Sequence, residues 1–159
     1  MDLVHFQMVD SVEAVDRERL TIRCLTRVPE SATILDGHFP GFPVLPGVLM
    51  IETMAQSAGL LLLAVHGGAR VPLLYKVDGA KLSGLVEPGT ALTCDARITH
   101  SGAAYAVAEA ELRDESRTVA RTEVRLRLVD PPNDTTRNAV LRRLADLGLT
   151  EPFPPPGSP

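Results

Sequence analysis

A proline- and glycine-rich segment runs directly into a long apolar stretch, and this junction constrains the fold more than any other feature of the sequence. Residues 36–47 contain three prolines and three glycines in twelve positions, so this segment cannot form a regular helix or strand. Residues 47–65 contain no proline and a single charged residue, Glu52, and apolar residues occupy nearly every helical face. The junction therefore predicts a stiff loop followed by a helix that is buried all round.

The remaining polar side chains of this helix are expected to lie along one side, because residues four apart stack on a helix. They are Glu52, Thr53, Gln56 and Ser57. An ionised carboxylate on a buried helix is costly unless it is paired, hydrogen-bonded or protonated. Glu52 is therefore a candidate functional residue, although an ion pair with a lysine or an arginine would also account for it.

Length and composition indicate one globular domain of 159 residues, 45% of them hydrophobic and 23% charged. The net charge of −4, without a basic stripe, disfavours nucleic-acid binding. The two cysteines lack the spacing of a zinc or redox site, and we expect no metal and no cofactor. The longest uninterrupted apolar run, 58–65, is shorter than the roughly 20 residues that a bilayer requires, and no signal peptide is recognisable. We therefore expect a cytoplasmic protein that does not enter the membrane.

Strand-like segments lie on both sides of the helix, and no alternating strand–helix units occur. The predicted strands are 4–12, 20–28, 71–82, 91–99, 104–112 and 118–129. Runs of strands joined by tight turns favour an antiparallel sheet over a parallel one. The expected architecture is an α+β domain in which the sheet wraps around the central helix.

A C-terminal extension follows Pro131 and Pro132, so the main domain is expected to span 1–130. Within the extension, 131–159, a short amphipathic helix is predicted at about 135–147, capped by Asp134 or Thr135. Such a short helix must dock, either on its own domain or on a partner. The final proline-rich residues have the composition of a disordered or extended tail.

The central stretch also brings together groups that suit acid–base chemistry. His38 lies in the stiff loop, Glu52 lies on the buried helix, and the backbone amides at the start of the helix begin with Gly47. An imidazole accepts a proton near neutral pH, a desolvated carboxylic acid donates one, and free amides stabilise a developing oxyanion. The same residue types also occur in purely structural roles, because a loop histidine is commonly no more than hydrogen-bonded.

The order of these residues resembles a known family. The pattern Gly37-His38-Phe39-Pro40-Gly41-x-Pro43-x-x-Pro46-Gly47-Val48-Leu49-x-x-Glu52-x-x-Ala55-Gln56 is similar to the active-site signature of the FabZ-like 3-hydroxyacyl-acyl-carrier-protein dehydratases of fatty-acid synthesis. The resemblance covers about residues 4 to 129. It implies the hot-dog fold, in which an antiparallel sheet wraps around one long helix, and a homodimer or a trimer of dimers.

The resemblance also implies roles for individual residues. His38 would take the α-proton, Glu52 of the other subunit would protonate the leaving hydroxyl, and the Gly47 N–H would polarise the thioester carbonyl. The residues expected to bind the acyl substrate are Phe39, Pro46, Val48, Met54, Gln56, Ala58 and Leu61. The implied partner is an acyl carrier protein that carries the 3-hydroxyacyl chain, and the implied product is the trans-2-enoyl thioester.

Two alternatives remain open, a hot-dog acyl thioesterase and a catalytically idle acyl-binding subunit of a biosynthetic cluster. The sequence also departs from the family pattern, because Leu3-Val4-His5-Phe6 replaces the usual Pro-His-Arg-Tyr-Pro opening and Phe42 stands where a basic residue is common. The candidate basic patch for an acidic carrier protein consists of Arg70, Lys76 and Lys81.

Overall fold

Six strands form one antiparallel sheet that curls around a single long helix in the computed structural model, which describes residues 1–151. The strands are β1 Ser11–Asp16, β2 Thr21–Arg27, β3 Val71–Leu82, β4 Ala91–Ser101, β5 Tyr105–Arg113 and β6 Thr118–Val129. Their spatial order is β1-β2-β4-β5-β6-β3, so β1 and β3 form the two edges. The helices are α1 Thr33–Asp36, α2 Gly47–Val65 and α3 Asp134–Asp146. This architecture confirms the predicted hot-dog fold.

The central helix α2 has the predicted bounds. It begins directly after Pro46, whose fixed φ suits a helix start, and it is followed by Gly67 and Gly68, both in the left-handed region. By length and apolar composition α2 would suffice to cross a membrane, but most of it is buried inside the sheet. It is therefore the core helix of the domain.

The inner face of the sheet supplies the other half of the core. Along β4, alternate residues are buried from Leu92 to Ile98, and β5 and β6 show the same alternation. Cys24 of β2 lies directly opposite Cys94 of β4, and both cysteines are free and buried, as predicted. Their neutral thiols behave as small apolar side chains in this position.

The predicted opening strand at 4–12 is wrong. The first regular strand, β1, begins at Ser11, and residues 1–8 are irregular apart from one bridge between Asp2 and Gln7. Phe6 has φ of 55°, a left-handed conformation that no strand contains. The one-turn helix α1 was also not predicted from the sequence.

The C-terminal helix α3 packs on its own domain, which is one of the two predicted outcomes. Leu144 and the following Leu149 are buried in the core cluster. The expected cap was Asp134 or Thr135, but the N-cap is Asn133, whose side chain accepts a hydrogen bond from the Thr136 amide at 2.8 Å. The proline-rich tail from 152 to 159 lies outside the described residues.

The two buried thiols predict a loss of stability at alkaline pH. Burial raises the pKa of Cys24 from its ordinary value of 9.0 to about 11, and burial raises the pKa of Cys94 further. Above pH 9 the unfolded chain releases protons that the folded chain retains, so the free energy of unfolding should fall by about 2 kcal/mol for each thiol by pH 11. Guanidinium unfolding at several pH values measures this slope.

The matched control for this prediction is the double variant Cys24→Ala and Cys94→Ala. Its smaller side chains lower stability at every pH, but the alkaline slope that the thiols cause should disappear. If the free energy of unfolding fell equally in the wild-type and variant proteins between pH 8 and pH 11, the prediction would be contradicted.

Candidate active site

The loop that carries His38 is held by its own backbone. The His38 amide donates to the Leu35 carbonyl at 3.0 Å, and the His38 carbonyl accepts from the Val44 amide at 2.8 Å. Phe39 and Phe42 exchange two backbone hydrogen bonds of 2.9 Å across the turn at Gly41, which has φ of 79°. These bonds and the prolines make the predicted stiff loop.

The His38 imidazole is presented with its nitrogens free. The ring stacks on Phe39 with a centroid distance of 4.5 Å and an interplanar angle of 24°. Within residues 1–151, no protein group hydrogen-bonds to the ring nitrogens. Neither nitrogen is held by another residue of the described chain, so the ring is available to a ligand.

A cavity of about 370 Å³ lies beside His38. Its lining residues are His38, Phe39, Val44, Leu45, Gly47, Met50, Leu82, Ser83, Gly84 and Leu85. Gly47 brings the first amide of α2 to this cavity, and a Cβ at this position would overlap the side chain of Leu82. A larger residue at this position would therefore require the Leu82 side chain to move.

The amide end of α2 remains open to the cavity. The first helical hydrogen bond runs from the Leu49 amide to the Pro46 carbonyl at 2.9 Å, so the amides of Gly47 and Val48 precede it. Pro46 provides no side-chain cap. Unpaired amides at a helix start carry a partial positive charge and suit an oxygen that gains negative charge.

Glu52 lines a different cavity, of about 330 Å³, on another side of α2. Its Oε1 accepts a hydrogen bond from Gln56 Nε2 at 2.9 Å. The same amide donates from Nε2 to the Phe6 carbonyl at 2.9 Å and accepts at Oε1 from the Met8 amide at 2.9 Å. The carboxyl is thus half-buried and hydrogen-bonded, and no lysine or arginine among residues 1–151 forms an ion pair with it.

Within one chain, His38 and Glu52 do not meet. The two cavities share no lining residue. Gly47 and Glu52 are five residues apart, which places them about 140° apart around a helix with 3.6 residues per turn. One protomer therefore presents an imidazole with free amides on one side of α2 and a carboxyl on another side.

The predicted substrate-binding residues fall into three groups. Phe39 and Val48 are exposed at the start of the helix, with exposed fractions of 56% and 70%, whereas Pro46 is buried behind them. Gln56 contacts Glu52 and the N-terminal segment. A third set is fully buried in the hydrophobic core and lines neither cavity: Met54, Ala58 and Leu61.

The four polar residues that were predicted to lie along one side of α2 fall into two environments. Thr53 and Ser57 are fully buried, and each hydroxyl donates at 2.8 Å to the carbonyl four residues earlier. These hydroxyls are satisfied inside the helix and have no role in the cavity. Of these four polar residues, only Glu52 and Gln56 line the cavity of about 330 Å³.

Sequence reasoning missed the apolar residues of α2 that share the cavity with Glu52. They are Ala55, Gly59, Leu60 and Leu63. These positions follow Glu52 by 3, 7, 8 and 11 residues, which is the spacing of one helical face. Applying the helical period from Glu52 would have found them. Arg143 of α3 lines the same cavity, and no sequence signal indicates it.

The described residues contain no cluster of three or more His, Cys, Asp or Glu side chains that could hold a metal ion. Two residues of the candidate basic patch are paired, Arg70 with Asp130 at 3.6 Å and Lys76 with Asp78 at 2.9 Å. Lys81 is exposed and forms no ion pair within residues 1–151.

Comparison with known proteins identifies the family. A 3-hydroxyacyl-acyl-carrier-protein dehydratase FabZ from Listeria monocytogenes is 31% identical over 128 residues, which cover 80% of this chain and 88% of the relative. The enzyme of the same name from Petrotoga mobilis is 39% identical over 93 residues, or 58% of this chain and 66% of the relative.

Among solved structures, a hypothetical thioesterase with coenzyme A from Streptococcus pneumoniae superposes with a TM-score of 0.59 at 13% identity, covering 76% of this chain and 85% of its own. This likeness concerns the fold alone. The model of the FabA-like domain family matches residues 3–123. Because this family model matches most of the chain and the relatives above are 31% or more identical to it, the chain belongs to the FabA-like domain family.

Proposed function

We propose that this protein is a 3-hydroxyacyl-acyl-carrier-protein dehydratase, a lyase of fatty-acid or related acyl-chain biosynthesis. Its relatives at 31% and 39% identity carry this name. The observation that carries the proposal is the free His38 imidazole beside the open amides of α2, with a hydrogen-bonded carboxyl on the same helix. An acid, a base and an oxyanion site are the groups that β-elimination of water requires.

The proposed reaction removes one proton from the substrate and donates another proton to its β-hydroxyl. The imidazole of His38 takes the proton from the carbon next to the thioester carbonyl, and the Gly47 amide hydrogen-bonds to the carbonyl oxygen as charge develops. The carboxylic acid of Glu52 donates its proton to the β-hydroxyl, which leaves as water. The products are the trans-2-enoyl thioester, an imidazolium and a carboxylate, and proton return to the carboxylate resets the site.

The separation of the two groups within one chain supports a site shared between two subunits. Strand β3 is a sheet edge, and it carries exposed apolar side chains, among them Leu73 and Tyr75, which are each about half exposed. An uncovered apolar edge strand is suited to pairing with the same edge of a second copy. In such a homodimer, or a trimer of such dimers in the cytoplasm, Glu52 of one subunit would face His38 of the other.

The acyl chain is proposed to lie along the face of α2 that begins at Glu52. Apolar residues line this cavity beyond the carboxyl, including Gly59 and Pro72, which pack against each other. Each buried methylene of the chain contributes about 0.8 kcal/mol to binding. Met54, Ala58 and Leu61 would form the packed layer behind this face, and their direct contact with substrate stays a prediction.

Removal of either proposed proton-transfer group should abolish dehydration. His38→Ala and Glu52→Gln are each expected to lower kcat by about 10²- to 10⁴-fold, because general acid–base groups contribute that much. Mass spectrometry of a 3-hydroxyacyl carrier protein, followed for loss of water, measures the effect. The control is His100→Ala, a histidine on β4 whose ring lies 5.0 Å from the Tyr105 ring and is tilted against it.

The same assay separates the dehydratase from the thioesterase alternative. A thioesterase releases a free thiol, which a thiol reagent detects, whereas a dehydratase leaves the thioester intact. Full dehydration by both variants, or thiol release in place of water loss, would overturn the proposal.

A shared site predicts complementation between two inactive variants. When His38→Ala and Glu52→Gln subunits are mixed and allowed to exchange, each mixed dimer has one site with both groups intact. Random exchange makes half of the dimers mixed, so about a quarter of the wild-type activity should return. Activity that stays at the level of the separate variants would show that both groups act from one chain.

Charges on the β3 edge should block dimer formation. The double variant Leu73→Glu and Tyr75→Glu places like charges opposite one another across a pairing of two β3 strands. Light scattering is expected to show a monomer. The dehydration assay is expected to show less than about a tenth of the wild-type activity, because the shared site is lost. The control is Tyr105→Glu, an exposed aromatic on β5. A charged edge variant that remains dimeric would rule out this interface.

A further inference from the structure

The C-terminal helix reaches the candidate active site through one side chain. Arg143 of α3 lines the cavity that contains Glu52. Its Nη2 donates a hydrogen bond of 2.6 Å to the backbone carbonyl of Val9. The family model matches only residues 3–123, so α3 lies beyond the shared domain. This chain therefore adds a cation to the cavity from an element outside that domain.

The carbonyl that Arg143 binds belongs to the N-terminal segment before β1. Met8 and Val9 are almost completely buried, and the next residue, Asp10, donates from its amide to the Leu25 carbonyl of β2 at 3.0 Å. This segment is not a strand, so side chains supply partners that a sheet would otherwise provide. Arg143 is the partner at Val9.

Gln56 supplies the partners at the other end of this segment. Because the Met8 amide can only donate, the Gln56 oxygen must face it. The Gln56 nitrogen then faces the Phe6 carbonyl and the carboxyl of Glu52, each at 2.9 Å. Both N–H groups of the amide are occupied. The orientation of the carboxyl thus depends on where the N-terminal segment lies.

We propose that Arg143 is a positioning residue for Glu52. The guanidinium holds the Val9 carbonyl, and the held segment keeps the Gln56 amide in the orientation that fixes the carboxyl. Without Arg143 a buried acceptor loses its partner, and the segment moves to recover one. A displacement of about 1 Å at a catalytic group costs as much as 100-fold in rate. Only the catalytic consequence rests on the proposed function.

The first arm of the test measures hydrogen exchange in the N-terminal segment, in the absence of substrate. In Arg143→Met, which keeps the length of the side chain but cannot donate, we expect hydrogen exchange at the Met8 amide to accelerate about tenfold. Arg143→Lys still donates one hydrogen bond and should restore the wild-type rate. The matched control is Arg142→Ala, the exposed neighbour on the same helix. Unchanged exchange at Met8 in Arg143→Met overturns the proposal.

The second arm measures catalysis by the same variants. Arg143→Met should lower kcat about tenfold and leave KM within about twofold, and Arg143→Lys should recover most of kcat. In a Gln56→Leu background, Arg143→Met should add no further loss, because both act on one carboxyl. An additive loss, or a rise in KM alone, would overturn positioning and indicate direct contact with substrate.

The two arms keep this proposal separate from the proposed function. If the wild-type protein does not dehydrate a 3-hydroxyacyl carrier, the dehydratase assignment fails, and the exchange arm still decides whether Arg143 holds the segment. If Arg143→Met does not fold, Arg143→Gln gives the same comparison, since its amide is too short to replace the guanidinium at Val9. A wild-type exchange rate in that variant counts against the proposal equally.

Discussion

The burial of α2 inside a curled sheet is the constraint on which the remaining structure depends. A helix with apolar residues on nearly all faces is stable only when other elements cover it, and the inner face of the sheet supplies most of that cover. The helix start is consequently fixed in space, with Pro46 before it and Leu82 against Gly47. The amides at this end and the carboxyl one turn further along thus belong to one rigid rod.

Much of this arrangement could be predicted from local patterns. The bounds of α2 follow from its apolar run, and five of the six strands follow from alternation and turns. The N-terminal segment could not be predicted in this way, because Phe6 and Met8 resemble strand residues but find their partners in a side chain 48 or more positions later. A long-range contact of this kind has no local signal.

The candidate site shows the same division. His38, Gly47 and Glu52 form an ordered motif that sequence alone can locate. The family resemblance implies substrate contact for Met54, Ala58 and Leu61, and their side chains lie in the hydrophobic core of this chain, so that contact stays a prediction. Arg143 lies 91 residues beyond Glu52, on an element that the family motif does not include, so only the tertiary structure brings it to the cavity.

The pairing of β3 with β6 has a consequence for synthesis. Leu82, which packs against Gly47, belongs to β3. Within the described chain, β3 pairs with β6, where Leu82 lies opposite Ala120. A growing polypeptide thus makes its helix and its histidine loop long before the strand that completes their surroundings leaves the ribosome. Until then the apolar helix is uncovered, so the nascent chain passes through a stage that a chaperone would recognise.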